Sequence, residues 1–213
     1  MSASRQAQRE RHELAELLLA TGPDAPTLCE GWTTRDLAAH LVVRESRPDA
    51  AAGIVVPALA GWTDRVQHSV ASQPYPQLVR RVRTGPPTLS VFSIPGVGGL
   101  ANLVEYFVHH EDVRRAQSDW EPRDLPDDLS DGLWGRLSSM ARLLYRKVPV
   151  GVRLERTDGA GQAIDAKPGD PGITVRGTAG ELVLRSYGRR AVDLDILGEP
   201  DDIARFESAS MGI

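Results

Sequence analysis

A single cysteine, Cys29, in a chain of 213 residues excludes an internal disulfide and any zinc or iron–sulfur site built from several thiolates. A metal bound here must rest mainly on histidine and carboxylate groups. Aromatic residues are scarce, at 5%, so the core has to come from the Ala, Leu and Val that dominate the 41% hydrophobic content. No apolar run approaches the roughly 20 residues that cross a bilayer. The polar start MSASRQAQRERHE lacks the apolar stretch of a secretory signal, so the expectation is a soluble, cytoplasmic protein. Excess positive charge is missing too. A net charge of -4 gives no overall attraction to nucleic acid, and Arg80, Arg81 and Arg83 are expected to form a solvated helix face. The chain contains neither a Gly-x-Ser-x-Gly elbow nor a phosphate-loop lysine. The run from Gly96 to Ala101 has the form G-x-G-x-x-A, but without strand–helix–strand surroundings it predicts a helix start rather than a dinucleotide site.

What is present is helical periodicity, followed by a change of period. Leu14, Leu17 and Leu18 predict a helix over 4–19, ended by Thr21-Gly22-Pro23. Thr33 with Asp36 three residues on forms a capping box with the shorter acid, starting a helix that runs to about Ser46 before Pro48. Pro57, Pro74 and Pro76 break the next stretch into shorter helices. A strongly apolar helix is expected over 99–117 and a fourth long one over 126–146. Four long helical segments imply a bundle. After Val148-Pro149 short alternating runs around Val152, Ile164 and Ile173 predict strands, with a helix over 179–187, a strand over 191–197 and a helix over 200–206. The expected organisation is mainly α, a bundle over 1–148 and a small α+β domain over 149–213.

Glu105 and His109 stand four apart in a helix and point to nearly the same side. Asp112 shares that flank, whereas Leu103, Val104 and Phe107 lie on the other. His40 sits in the capped helix beside Leu37 and Leu41, on the stripe that enters the bundle, and an interior histidine needs a partner. Two histidines and a glutamate suit zinc with an open position, three protein groups leaving the fourth for water or substrate. The alternative is a surface Glu–His contact and a hydrogen-bonded core histidine. His110 lies about 100° further round and is expected beside the site or on the surface. His12 can face the bundle from the first helix, but both it and His68 are expected to be structural or exposed rather than ligands. Cys29, in the loop leading to the capped helix, can lie near the site but is expected to be an inert buried residue rather than a nucleophile.

At these residues the chain resembles a known family. PTLCEGWTTRDLAAHLVVRE, NLVEYFVHHEDVRRA and the tail VRGTAGELVLRSYGRRAVDLDILGEPDDIARF are similar to the mycothiol-dependent maleylpyruvate isomerases of the DinB-like superfamily. The resemblance implies a four-helix metal-binding bundle with a small C-terminal domain, and ligands at His40, Glu105 and His109. It implies zinc, with other divalent metals possible, and mycothiol as thiol cofactor or co-substrate. The metal would lower the thiol's pKa and present a thiolate to a small electrophile, in an isomerase or S-transferase reaction. Many members of the superfamily use three histidines; Glu105 in the middle agrees with the isomerase branch. Arg189 and Arg190 close a C-terminal helix and can meet either its carbonyls or an anionic substrate. The competing function is a non-catalytic metal-binding or scaffold protein of the same fold.

Overall fold

The computed structural model describes residues 3–46, 60–85, 99–209 and 211. Pro57 and the glycine run at 96–98 lie outside the described residues. The chain divides into two compact units, Ser2–Trp120 and Glu121–Ile213.

The first unit is a helical bundle made of α1 (Ala3–Thr21), α2 (Thr34–Ser46), α3 (Ala60–Ala71), α4 (Tyr75–Thr84) and α5 (Gly99–Arg114). α1 buries Leu14, Ala15 and Leu18 completely and packs on α5 and α4, while α2 packs on α3 and α4. Each fully buried leucine contributes about 1.5–3 kcal/mol. The capping box forms as the sequence predicts. The Asp36 carboxylate accepts from Thr33 N–H at 2.9 Å and from its hydroxyl at 2.6 Å, and Asp36 N–H reaches Thr33 Oγ1 at 3.4 Å. Pro74 caps α4 and Pro76 stands in its first turn, where the missing N–H costs nothing; Pro76 therefore starts a helix that the sequence pattern had it interrupt. Arg80, Arg81 and Arg83 are exposed, as expected.

The second unit consists of α6 (Asp127–Leu144), β1 (Gly151–Arg156), β2 (Ala163–Lys167), β3 (Gly172–Gly177), α7 (Ala179–Ser186), β4 (Asp195–Leu197) and α8 (Pro200–Ser208). The sheet order is β2-β1-β3-β4, with β1 and β3 parallel and both outer pairings antiparallel. α6 is the helix that the apolar spacing grouped with the N-terminal bundle across an expected boundary at 148. Its buried Leu133, Leu137, Ala141 and Leu144 form a stripe that packs on α7 and β2. An apolar stripe reveals that a helix is covered, but not which layer covers it. Tyr145, next in sequence, shares a 2.8 Å hydrogen bond with Ser186 and stacks on Phe206; burial pushes its phenol up to about 12.

The strand expected over 191–197 is only Asp195–Leu197. Asp193 N–H donates to the Glu181 carboxylate at 2.8 Å and Val192 N–H to the Arg190 carbonyl at 3.0 Å, which takes these donors away from a ladder. α7 ends in a Schellman motif. Gly188 has φ +86, its N–H donates to Arg185 O at 3.0 Å, and Arg189 N–H donates to Leu184 O at 3.0 Å. An added Cβ on Gly188 would lie 3.1 Å from Met211 O. Gly188→Ala should therefore destabilise this unit by about 1–2 kcal/mol. The urea midpoint measures it, and an unchanged midpoint would show the turn to be unconstrained.

Candidate metal centre

α2 and α5 run antiparallel, and their side chains bring His40, Glu105 and His109 together. Glu105 Oε1 lies 3.4 Å from His40 Nε2 and 3.4 Å from His109 Nε2, and the imidazole rings meet edge-on at a centroid separation of 5.4 Å. These separations suit an ion. Two ligands at about 2.1 Å on a tetrahedral centre are about 3.4 Å apart. The half-buried Trp32 covers one flank, its ring 5.1 Å from that of His40.

Burial alone would raise the Glu105 carboxyl, but hydrogen bonds from His109 and His40 and the charges of His109 and Arg44 outweigh it and hold the group well below its usual range. For His109 burial works against the charged form, yet bonds to Asp112, Cys29 and Glu105 lift it well above the ordinary histidine range. His40 is lowered, chiefly by desolvation, with its bond to Glu105 opposing. The triad thus has one carboxylate, one imidazole that favours a proton and one that favours neutrality.

The surrounding residues orient these groups. Asp112 Oδ2 lies 2.9 Å from His109 Nδ1, so a proton held on Nδ1 leaves Nε2 as a lone-pair donor, the arrangement common behind metal-bound histidines. Cys29 Sγ donates to the same Asp112 oxygen at 3.2 Å. Its loop is fixed to α5 by Leu28 N–H, which donates to Asp112 O at 3.0 Å. Arg44 Nε reaches Glu105 Oε1 at 3.2 Å, and its terminal nitrogen donates to Asn102 Oδ1 at 3.0 Å. Arg44 therefore competes with a cation for Glu105 but already has an alternative acceptor. If His109 is a ligand, Asp112→Asn should weaken metal binding by about 10–100-fold, measured with a competing chelator; wild-type affinity would remove Asp112 from the support of the site.

Other expectations change in the structure. His110, expected beside the site or on the surface, is buried on the opposite flank of α5, its Nδ1 3.0 Å from Glu10 Oε2 of α1. The rotation that sets it apart from Glu105 turns it into the α1 interface. His12 and His68 are both exposed, in keeping with the expectation that neither is a ligand, and the His68 ring nitrogen lies 2.8 Å from Asp64 O. Arg189 donates to Tyr187 O at 2.6 Å and Arg190 to Glu207 O at 2.8 Å. The sequence pattern placed Asp112 on the right flank without giving it a role and passed over Arg44. The signals were His-x-x-Asp and His-x-x-x-Arg, spacings that put both members on one helix face.

Residues 4–90 match the family model of the mycothiol maleylpyruvate isomerase N-terminal domain. That segment, less than half of the chain, is similar to the family's N-terminal domain. His40 falls within the matched segment, and Glu105 and His109 lie beyond it. Among solved structures, the fold is similar to that of a point mutant of mycothiol-dependent maleylpyruvate isomerase, with a TM-score of 0.61, 14% identity and 92% of each chain covered. The structure of mycothiol-dependent maleylpyruvate isomerase itself gives a TM-score of 0.53 at 15% identity, again covering 92% of each chain. No curated protein matches the chain. Among the described residues no helix is long and apolar enough to cross a membrane.

Proposed function

We propose that this protein is a mycothiol-dependent isomerase or S-transferase acting on a small electrophile of the maleylpyruvate type, with His40, Glu105 and His109 holding one divalent ion, zinc or another divalent metal that accepts two imidazoles and a carboxylate. The observation that carries the proposal is the convergence of two imidazole nitrogens on one carboxylate oxygen at 3.4 Å each. A divalent ion with three protein ligands has a position left for an incoming thiol and favours its ionised form. Structural zinc, by contrast, is almost always enclosed by four protein groups.

The chain's own groups have distinct tasks. Glu105 supplies the negative charge that a cation needs, and Arg44 holds the carboxylate in place from α2. Asp112 keeps the His109 proton on Nδ1. Trp32 shields the His40 side from water. In the C-terminal unit, Arg190 lines a cavity of about 340 Å³ with Arg185, Gly188, Ser208, Ala209 and Met211. Guanidinium groups suit carboxylates, and Arg189 and Arg190 are proposed to bind an anionic group on this unit.

The test is turnover. Metal-replete protein with mycothiol and a panel of small electrophiles, maleylpyruvate among them, should give conversion that disappears without the thiol and after chelation. A metal-replete protein that converts no member of the panel would favour the non-catalytic metal-binding alternative.

A further inference from the structure

His109 offers a donor triad on each of its two ring nitrogens. Nε2 faces Glu105 and His40. Nδ1 faces Asp112 Oδ2 at 2.9 Å and Cys29 Sγ at 4.0 Å, and the sulfur is 3.2 Å from the same oxygen. Cys29, His109 and Asp112 thus form a second set of metal-capable donors, distinct in chemistry from the first because it contains a thiol. A sulfur and a nitrogen on one tetrahedral ion lie about 3.6 Å apart, so each separation in this set is within less than an ångström of what an ion requires. Asp112 and His109 are one turn apart on α5, and the Leu28 N–H bond to Asp112 O anchors the Cys29 loop beside them. Cys29 is half-buried.

The geometry points to a second cation site at Cys29, Asp112 and His109 Nδ1 for a thiophilic divalent ion, and occupation of that site removes His109 from the first. The exclusion follows from the ring. A neutral imidazole has one lone-pair nitrogen. When Nδ1 binds an ion, the remaining proton sits on Nε2, which then has nothing to donate to an ion beside Glu105. The thiol proton is released to solvent as Cys29 becomes a thiolate ligand. Hard ions are expected to prefer the nitrogen and oxygen donors of the first triad, and soft ions the thiolate set. The same protein is thereby inhibited by thiophilic metals through a built-in competing site. This inhibitory consequence rests on the function proposed above, whereas the existence of the site does not.

Cadmium alone is the probe, added to metal-free wild type, His40→Ala, Cys29→Ser, Asp112→Asn and His109→Ala. A near-ultraviolet thiolate-to-cadmium absorption should saturate at one equivalent in wild type and in His40→Ala. It should vanish in Cys29→Ser and need at least about tenfold more cadmium in Asp112→Asn and His109→Ala, in line with the loss of a ligand or its neighbour. No such absorption in wild type and His40→Ala would overturn the site, as would wild-type cadmium affinity in both Asp112→Asn and His109→Ala, which would mean a thiol binding alone. In cobalt-loaded wild type, the visible cobalt bands should fall as the cadmium absorption rises; full intensity of both together would overturn the exclusion. If cobalt bands appear in no variant, the proposed function fails, while cadmium binding by His40→Ala still decides the second site.

Discussion

Replacing His40 or His109 by alanine should empty the proposed metal centre. Elemental analysis of protein purified with excess zinc is expected to give one ion per chain in wild type and less than about a tenth of that in His109→Ala, which belongs to both donor sets, and in His40→Ala combined with Cys29→Ser, which closes the thiol-containing set. The loss of a direct ligand should exceed the roughly 10–100-fold weakening expected of an outer partner. His12→Ala should keep full occupancy because that side chain is exposed. His110→Ala should also keep the metal but lose stability, since it strips the buried Glu10 carboxylate of its 3.0 Å partner. Loading should depend on pH. His109 is raised well above the ordinary histidine range, so below that pKa an ion must displace a proton, and affinity should fall by about tenfold for each unit of acidification. Equal zinc in wild type and His109→Ala would remove the site assignment.

The second large effect concerns a buried charge network beside the site. Arg11 of α1 donates to Glu45 of α2 at 2.6 Å, both side chains being nearly inaccessible, and the Tyr106 hydroxyl of α5 donates to the same carboxylate. Burial and the Glu45 charge push the Tyr106 phenol far above its ordinary range, so it stays a neutral donor. Arg11 also lies over the Tyr106 ring, 4.6 Å from its centre. Three helices are tied through one carboxylate, one residue along from the Arg44 and Glu105 contact. Glu45→Ala would leave the guanidinium buried without its counter-charge, at a cost on the order of 3–5 kcal/mol. The thermal midpoint should drop by roughly 10 °C or more. A midpoint within a degree or two of wild type would mean that Arg11 finds another acceptor or reaches water.

Much of this was legible because local chemistry and long-range packing agree. The Thr33 and Asp36 box, the Gly188 stop and the period change after Val148 each express a local rule, and each element formed close to its expected limits. His40, Glu105 and His109 were identifiable because a helix period fixes which side chains share a face, and their mutual approach followed from two covered faces. What the period could not express was the partner. The stripe on α6 marks a covered helix equally well whether a bundle or a sheet covers it. His110 and His109 are neighbours in sequence, yet the first pairs with Glu10 of α1 and the second with Asp112. Only the position of α1 decides that. The network of Arg11, Glu45 and Tyr106 is equally silent in the sequence, because its members come from three helices and share no spacing.

The central claim is that the triad holds an ion with a position open to a thiol, and cobalt-substituted protein tests it most directly. With cobalt content measured in the same sample, addition of mycothiol near neutral pH should produce a sulfur-to-cobalt charge-transfer absorption, accompanied by release of the thiol proton. Glu105→Gln should weaken both signals by removing the anionic ligand. A cobalt-replete wild-type protein whose spectrum is unchanged by mycothiol and by every other thiol offered would contradict the account.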